Sequence, residues 1–468
     1  MTGTSRTALG RRVLAAAAGL LGGVVFAACD APPTIPRPEP QQIAVDVSAR
    51  GRFLEDAVFR RAALEASLEN PDNDYSRDRL VAYGLADAGW ELLPQWNPRS
   101  VPVDSAEQAA LGRGEPLALP PATRPLWDGE VPKDDAGWLA LGRRVFDELP
   151  LRADDTVAYA IADPQRAAAF GLDAADDGSY PGVVVFEDVD GRDRVGITCA
   201  VCHAALHDGR PWPGLARRRL DLGAMRLAYH DATGEPLARE LADRMRRWGP
   251  GRADITGDDD EDPVAIPDLW RLLELAALTQ AGTLRLGGAR IGDQAARRDN
   301  DLVVLAIRQE TQIIQANGER SRPPRVLAWA LARFVAELEP PPRVPPSATD
   351  VREGLAVFKR ECRRCHHGAA YSGAPIAADT IGTHPALARS RARGTGKLRP
   401  APLVAVAAAA PYFHDGSVPS LEDVLDPARL RPEYARGVHG PGPHPGHAFG
   451  TALPESDRAA LLAYLATL

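Results

Sequence analysis

Two copies of one short motif constrain what this chain can fold into: Cys-x-x-Cys-His occurs at 199–203 and again at 362–366. This run is the attachment signature of a c-type haem. Its two thiols form thioethers with one porphyrin, and the histidine becomes the proximal ligand of the iron. A zinc site made from both cysteine pairs is the alternative, but zinc requires no histidine after each pair. We predict two covalent haems, attached through Cys199, Cys202 and His203 and through Cys362, Cys365 and His366.

The first 29 residues have the pattern of a bacterial lipoprotein signal peptide. Arg6, Arg11 and Arg12 precede an apolar stretch at 13–25 that is too short for an ordinary membrane span. The stretch leads into Val-Phe-Ala-Ala-Cys, which resembles a lipobox, so Cys29 would become the lipidated first residue. This predicts a periplasmic protein that contacts a bacterial membrane only through its lipid anchor. An ordinary signal peptide, cleaved after the two alanines, is the alternative.

Composition and charge describe a soluble globular protein. The 468 residues are 45% hydrophobic and 25% charged, and the net charge of −8 argues against nucleic acid as a partner. Five prolines between 32 and 40 predict an extended tether, and apolar residues at helical spacing from 53 to 96 predict a helical cap. We assign 30–133 to this tether and N-terminal extension.

A faint internal repeat predicts two tandem cytochrome c-type domains in a mainly α fold. Gly142 and Phe146 have the same spacing as Gly354 and Phe358, and an apolar helix pattern ending near 338 recurs at 461–468. In a small cytochrome c fold, a glycine on the first helix allows a close crossing with the last helix. We place the domains at 134–340 and 347–468. Two unrelated pairs of amphipathic helices are the alternative.

Two further strings support a family resemblance. Residues 410–417 read Ala-Pro-Tyr-Phe-His-Asp-Gly-Ser, and residues 446–451 read Gly-His-Ala-Phe-Gly-Thr. With both haem motifs, they make 135–468 resemble the di-haem cytochrome c peroxidase superfamily, which includes MauG-like enzymes and rubber oxygenases. The resemblance implies that one haem relays electrons from a redox partner protein or small-molecule donor, while an open haem reacts with peroxide or dioxygen. It also implies that His414 lies against the second haem.

Two positions depart from the peroxidase pattern. The bacterial peroxidases generally carry a methionine fourteen residues after the histidine of the Tyr-Phe-His-Asp-Gly string, where this chain has Ala428. They often carry a histidine sixteen residues after the first proximal histidine, where this chain has Arg219. Both departures favour the MauG-like and rubber-oxygenase-like branches.

The scarcity of ligand-type residues predicts different coordination at the two irons. The second domain has no methionine, and His439, His444 and His447 lie in the loop before its last helix. We predict that His447 is the sixth ligand opposite His366, with His414 as the alternative. Two histidine ligands give a lower potential than histidine with methionine.

Residues 246–340, in contrast, contain no Met, His, Lys, Tyr or Cys. The simplest interpretation is a five-coordinate iron at His203 with an open face. Met225, His230, Met245 or a residue of the N-terminal cap would have to reach over to close it.

The sequence identifies no catalytic acid or base at the open haem. Gln309, Glu310 and Gln312 interrupt an apolar helix, and 217–219 is an arginine run, but a surface or propionate-binding role is the better interpretation of each. The acidic run at 258–262 is a weak calcium candidate, because it lacks the glycine and final glutamate of an EF-hand and is better interpreted as a solvated turn.

Two functions remain open from sequence. The favoured one is a di-haem oxidoreductase with a peroxide- or dioxygen-reactive haem at His203 and an electron-transfer haem at His366. The other is a non-catalytic electron-transfer cytochrome in which both irons are six-coordinate.

Overall fold

The computed structural model describes residues 48–254, 263–287, 294–342 and 348–468. Helices dominate this part of the chain, and its strands are short, so the predicted mainly α character is confirmed. The helices are α1 Ala49–Glu55, α2 Ala57–Ser67, α3 Asp74–Ala82, α4 Ser105–Gly112, α5 Asp135–Glu148, α6 Asp155–Ile161, α7 Pro164–Ala169, α8 Ala200–His203, α9 Leu222–Thr233, α10 Arg239–Trp248, α11 Gln294–Ala316, α12 Arg325–Ala336, α13 Ala348–Glu361, α14 Ala378–Ile381, α15 Ala386–Arg389, α16 Leu421–Leu425 and α17 Glu455–Leu465. The strands are β1 Ser100–Pro102, β2 Arg152–Ala153, β3 Val183–Glu187, β4 Asp193–Ile197, β5 Leu206–His207, β6 Arg210–Pro211, β7 Arg252–Ala253, β8 Val264–Ala265, β9 Ala277–Leu278, β10 Leu284–Arg285, β11 Ile376–Ala377 and β12 Lys397–Leu398.

The first of the two predicted helix pairs is α5 with α12. A Cβ atom on Gly142 would overlap the backbone oxygen of Ala330, so glycine is required for this close crossing. One turn along, the rings of Phe146 and Phe334 pack with their centroids 5.5 Å apart.

The second pair, α13 with α17, repeats this packing. A Cβ atom on Gly354 would overlap the backbone oxygen of Ala460, and the rings of Phe358 and Tyr464 lie 5.2 Å apart. The close packing predicted from the repeat is confirmed in both pairs. The division into domains at 134–340 and 347–468 stays a prediction.

A small antiparallel sheet, with strand order β1-β3-β4-β2, leads the chain into the first haem motif. Strand β3 begins with three valines and a phenylalanine, all buried, which is typical of a strand covered on both faces. Strand β4 ends at Ile197, two residues before Cys199. A Cβ atom on Gly182 would overlap the backbone nitrogen of Val201, so the β3–β4 hairpin packs directly against α8. This sheet was not predicted from the sequence.

The stretch predicted as a helical cap contains α1, α2 and α3. These helices pack on α11 and α12, and the rings of Phe53 and Trp329 lie 5.6 Å apart in the shared core. No helix in the described part of the chain is both long and apolar enough to cross a membrane.

Candidate haem sites

The first motif lies between the β3–β4 hairpin and a loop at 212–218. Short helix α8 carries Cys202 and His203. The loop closes over the end of α8, because Gly214 donates its backbone N–H to the carbonyl of His203 (2.7 Å) and Arg217 donates to that of Cys202 (2.8 Å). Neither Cys199 nor Cys202 forms a disulfide. Both thiols are therefore available for thioether bonds.

The imidazole of His203 is oriented by a backbone carbonyl. Its Nδ1 atom lies 3.0 Å from the oxygen of Pro267. A ring nitrogen that faces a carbonyl carries the hydrogen, so Nδ1 donates and Nε2 keeps its lone pair for a metal. Burial lowers the pKa of His203 to about 4, so the ring is neutral at neutral pH, which is the form that binds iron.

The second motif follows α13 without a break and has the same histidine orientation. The Nδ1 atom of His366 lies 3.0 Å from the oxygen of Tyr371, and burial lowers the pKa of His366. Tyr371 has a left-handed backbone with a φ of 52°. Residues other than glycine rarely adopt this conformation, so the backbone that presents the carbonyl to His366 has an uncommon geometry.

His447 lies opposite His366. The centroids of the two rings are 6.1 Å apart and the rings are inclined by 70°. The pKa of His447 is lowered to about 4, mainly by burial and to a smaller extent by the nearby His366 and Arg429. Its buried Nδ1 atom has no hydrogen-bond partner among the described residues. His447 also has a left-handed backbone, with a φ of 46°.

These residues fit a haem iron at the second motif. An iron with two axial imidazoles separates the ring centroids by about 6 Å, since each metal–nitrogen bond is about 2 Å long and each nitrogen lies about 1 Å from its centroid. The distance between His366 and His447 agrees with that value. Histidines 439 and 444 lie elsewhere in the loop: His439 Nε2 is 3.0 Å from the oxygen of Asp415, and His444 packs on Tyr434 at 5.6 Å. The axial role of His447 stays a prediction that this geometry supports.

The two cysteine pairs do not form a shared zinc site. Within the ranges that the structure describes, no three His, Cys, Asp or Glu side chains lie close enough together to hold a metal ion.

His414, the alternative ligand, lines a cavity of about 230 Å³. The other lining residues include three arginines and a tryptophan; they are Arg244, Arg247, Trp248, Arg252, Asp254, Pro263, His384, Ala386, Leu387 and Asp415. Burial lowers the pKa of His414, so its ring is neutral. A cavity lined by several cations suits carboxylate groups such as haem propionates.

Of the residues that could close the first iron, Met225 is brought closest to the motif. It is fully buried in a cluster that contains Val201 and packs against Cys202. Met245 is buried on α10, where its backbone oxygen contacts Gly223. His230 lies at the surface end of α9, with Nδ1 3.3 Å from the oxygen of Glu235.

Glu310 occupies a structural network rather than a haem face. It is fully buried, accepts a hydrogen bond of 2.7 Å from the hydroxyl of Tyr83 and pairs with Arg325 at 3.2 Å. Arg325 and Arg60 both pair with Glu91, at 2.6 and 3.0 Å. These contacts join the N-terminal extension to α11 and α12. The candidate role of Glu310 at an open haem is therefore not supported.

The arginine run after the first motif is structural as well. Arg217 is buried and donates to the carbonyls of Pro181 and Ala204, both at 3.2 Å. Arg218 pairs with Asp268 at 2.6 Å, and Arg219 pairs with Asp173 at 3.3 Å.

Arg308 is a residue that the sequence analysis missed. Burial raises the pKa of Cys199 and lowers the pKa of His203, and the positive charge of Arg308 is a smaller influence that lowers the pKa of both, so Arg308 is within electrostatic reach of the first motif. Its guanidinium donates to Gln312 at 2.8 Å. Arg308 and Gln312 have the i, i+4 spacing of neighbours on one helix face, and this spacing is the feature of the sequence that could have identified Arg308. Gln312 thus faces the same side of α11 as Arg308.

Several predictions lie outside the described residues. These are the signal peptide with Cys29, the proline-rich tether, and the acidic run at 258–262.

The two motifs, with their paired thiols and carbonyl-oriented histidines, define a c-type cytochrome. The sequence profile of the RoxA-like, cytochrome c-like family matches residues 399–436, a segment that includes the Tyr-Phe-His-Asp-Gly string. Over these residues the match supports the resemblance to the RoxA-like members of the di-haem cytochrome c peroxidase superfamily.

A crystal structure of a MauG-like protein associated with microbial copper homeostasis aligns with 75% of this chain and 94% of that one, at 18% identity and a TM-score of 0.34. Similarity at that level supports no further inference. The comparison with curated proteins gave no match.

Proposed function

We propose that this chain is an exported di-haem oxidoreductase with an open, peroxide- or dioxygen-reactive haem at His203 and an electron-transfer haem at His366. The observation that carries the proposal is the asymmetry between the two histidines. His366 faces a second imidazole, that of His447, at 6.1 Å. Over the described ranges, no other histidine ring packs against that of His203.

Each haem would supply an iron that can take up and release one electron, and an iron held by His203 as its one protein ligand would be able to bind peroxide or dioxygen. The chain's part is to set the two environments. Pro267 and Tyr371 fix the proximal imidazoles through their carbonyls, which makes each ring a better electron donor to the metal. His447 would supply a second histidine ligand at the second site, and Arg308 would add a positive charge to the surroundings of the first.

A second candidate is the electron-transfer cytochrome with both irons six-coordinate. The observation that favours it is the burial of Met225 in the cluster around Val201 and Cys202. An optical spectrum of the oxidised protein separates the two, because an open ferric haem shows a high-spin band that a six-coordinate one lacks. If both haems are low-spin before and after partial reduction, the oxidoreductase proposal is contradicted and the electron-transfer function remains. In that case Met225→Leu should create the high-spin band.

We expect two haems per chain, because each Cys-x-x-Cys-His motif supplies both thiols and the proximal ligand. The protein should be produced with a haem-attachment system and its intact mass measured. Cys199→Ser with Cys202→Ser should remove one haem, and the matched pair at Cys362 and Cys365 should remove the other. A wild-type chain that carries one haem or none would contradict the proposal.

We also propose that the protein is periplasmic and anchored through lipid on Cys29, as the lipobox-like sequence and proline-rich tether indicate. Cys29→Ser should move the protein from the membrane fraction to the soluble fraction, because the anchor is its expected membrane contact. Labelled fatty acid should be incorporated into the wild type alone. A wild type that never takes up label would contradict the prediction.

A further inference from the structure

Arg429 is completely buried, and its guanidinium donates to four backbone carbonyls. Nε donates to Val424 at 3.0 Å. Nη1 donates to His444 at 2.7 Å and to Gly446 at 2.9 Å, and Nη2 donates to His447 at 2.7 Å. Three of these four carbonyls belong to the loop that carries His447.

This arrangement differs from an ordinary buried ion pair. Within the described part of the chain, no carboxylate lies within ion-pair distance of Arg429, so its charge is balanced by carbonyl dipoles. Burying a charge is costly unless it is fully hydrogen-bonded. The planar guanidinium can meet several carbonyls at once because its five N–H groups point in fixed directions. The burial of Arg429 is therefore offset by the same bonds that fix the loop.

The loop it binds needs such support. His447 has a φ of 46°, and a residue other than glycine in this region carries a conformational cost that the surroundings must offset. Arg429 holds the His447 carbonyl on one side. On the other side, the N–H of His447 donates to the carbonyl of Ile381 at 2.8 Å, and Gly446 packs against the backbone of Thr383. Both peptide groups of His447 are thus fixed by neighbouring segments.

The side chain of Arg429 also reaches the second functional string. Its guanidinium lies 5.0 Å from the ring centroid of Phe413, and that ring lies 6.1 Å from the ring of His447. One buried cation therefore connects the Tyr-Phe-His-Asp-Gly string, the short helix α16 and the histidine loop.

We propose that Arg429 is a positioning residue that holds the imidazole of His447 at the sixth coordination position of the second haem. The inference rests on the proposed axial role of His447. Without the three loop contacts of Arg429, the backbone of His447 relaxes from its left-handed conformation and the ring moves away from His366. The haem then remains attached through Cys362 and Cys365 but loses its second axial ligand.

The test uses the full-length protein with both haems attached. Arg429→Met keeps an unbranched side chain of similar length and removes all five donors. Arg429→Lys keeps the charge and replaces the planar fork with a single ammonium group. Arg431→Met is the matched control, because Arg431 is exposed two residues further on. His447→Ala reports complete loss of the ligand.

Haem number is measured by mass spectrometry, spin state by electron paramagnetic resonance, and ligand displacement by imidazole and cyanide titration. We expect Arg429→Met to keep two haems and lose most of the low-spin signal of the second haem, which added imidazole should restore. Arg429→Lys should keep part of that signal and exchange cyanide about tenfold faster or more than the wild type. Arg431→Met should match the wild type.

If His447→Ala loses the low-spin signal while both Arg429 variants keep it in full, the ligand assignment stands and the role of Arg429 is wrong. If His447→Ala keeps it, the ligand assignment itself fails, and the role of Arg429 fails with it. If Arg429→Met does not accumulate, Arg429→Lys decides by the same measurements. Failure of both variants to give two-haem protein, under conditions where Arg431→Met succeeds, would indicate a general folding role and overturn the proposal.

Discussion

Replacing His203 with alanine is expected to abolish turnover of peroxide with a reduced donor. His203 is the predicted proximal ligand of the proposed reactive haem, and the 3.0 Å contact of its Nδ1 atom with the carbonyl of Pro267 orients the ring in a way that suits this role. We expect a loss of more than about a hundredfold, since removing even the groups that orient a ligating histidine costs about 10–100-fold. The same substitution should remove the uptake of cyanide or carbon monoxide at one haem per chain.

The control for this experiment is His207→Ala. His207 lies four residues further on, partly exposed, with its ring 5.6 Å from that of Trp212. Its replacement should leave turnover and ligand uptake unchanged. Mass spectrometry must show that the thioether-bound haem is still present in the His203 variant. If His203→Ala keeps full turnover with both haems attached, the reactive haem is not at the first motif.

Replacing His447 with alanine is expected to convert one low-spin haem to high spin and leave the other unchanged. The ring of His447 lies 6.1 Å from that of His366, which is the separation that one iron between two imidazoles requires. Its removal leaves a space of the size of an imidazole, so added imidazole should restore the low-spin spectrum. The reduction potential of this haem should also change, because axial ligation sets it.

Three matched variants test the specificity of this result. His414→Ala, His439→Ala and His444→Ala should each keep the low-spin spectrum, since none of these rings lies opposite His366 as that of His447 does. A change to high spin in His414→Ala, with none in His447→Ala, would show that the ligand is His414 and that the cavity around it is part of the haem site.

The parts of the site that could be predicted are those that the chemistry confines to a short stretch of sequence. Haem attachment needs two thiols and a histidine within five residues, so both motifs are visible directly. The crossing of α5 and α12 needs a glycine at one position and an aromatic residue one turn later, and the pattern recurs in α13. The candidate ligand His447 could be found because so few alternatives exist in its domain.

The parts that were missed depend on contacts between distant segments. The β3–β4 hairpin has a run of buried β-branched residues, but a short apolar run does not distinguish a strand from a buried helix. Glu310 was a reasonable candidate for proton transfer until its partners Tyr83 and Arg325 were known. Arg429 is one of many arginines, and nothing in its local sequence indicates that it binds a loop fifteen to eighteen residues away.

The buried network around Glu310 has a consequence for how the chain can be divided. Tyr83, Arg60 and Glu91 belong to the N-terminal extension, whereas Glu310 and Arg325 belong to the helices of the first predicted haem domain. A chain cut near residue 134 would leave Glu310 without its hydroxyl partner and Arg325 without Glu91, and removing one member of a buried ion pair costs about 3–5 kcal/mol. The predicted boundary near residue 134, between the N-terminal extension and the first haem domain, is therefore not a position at which the chain can be cut without loss of stability.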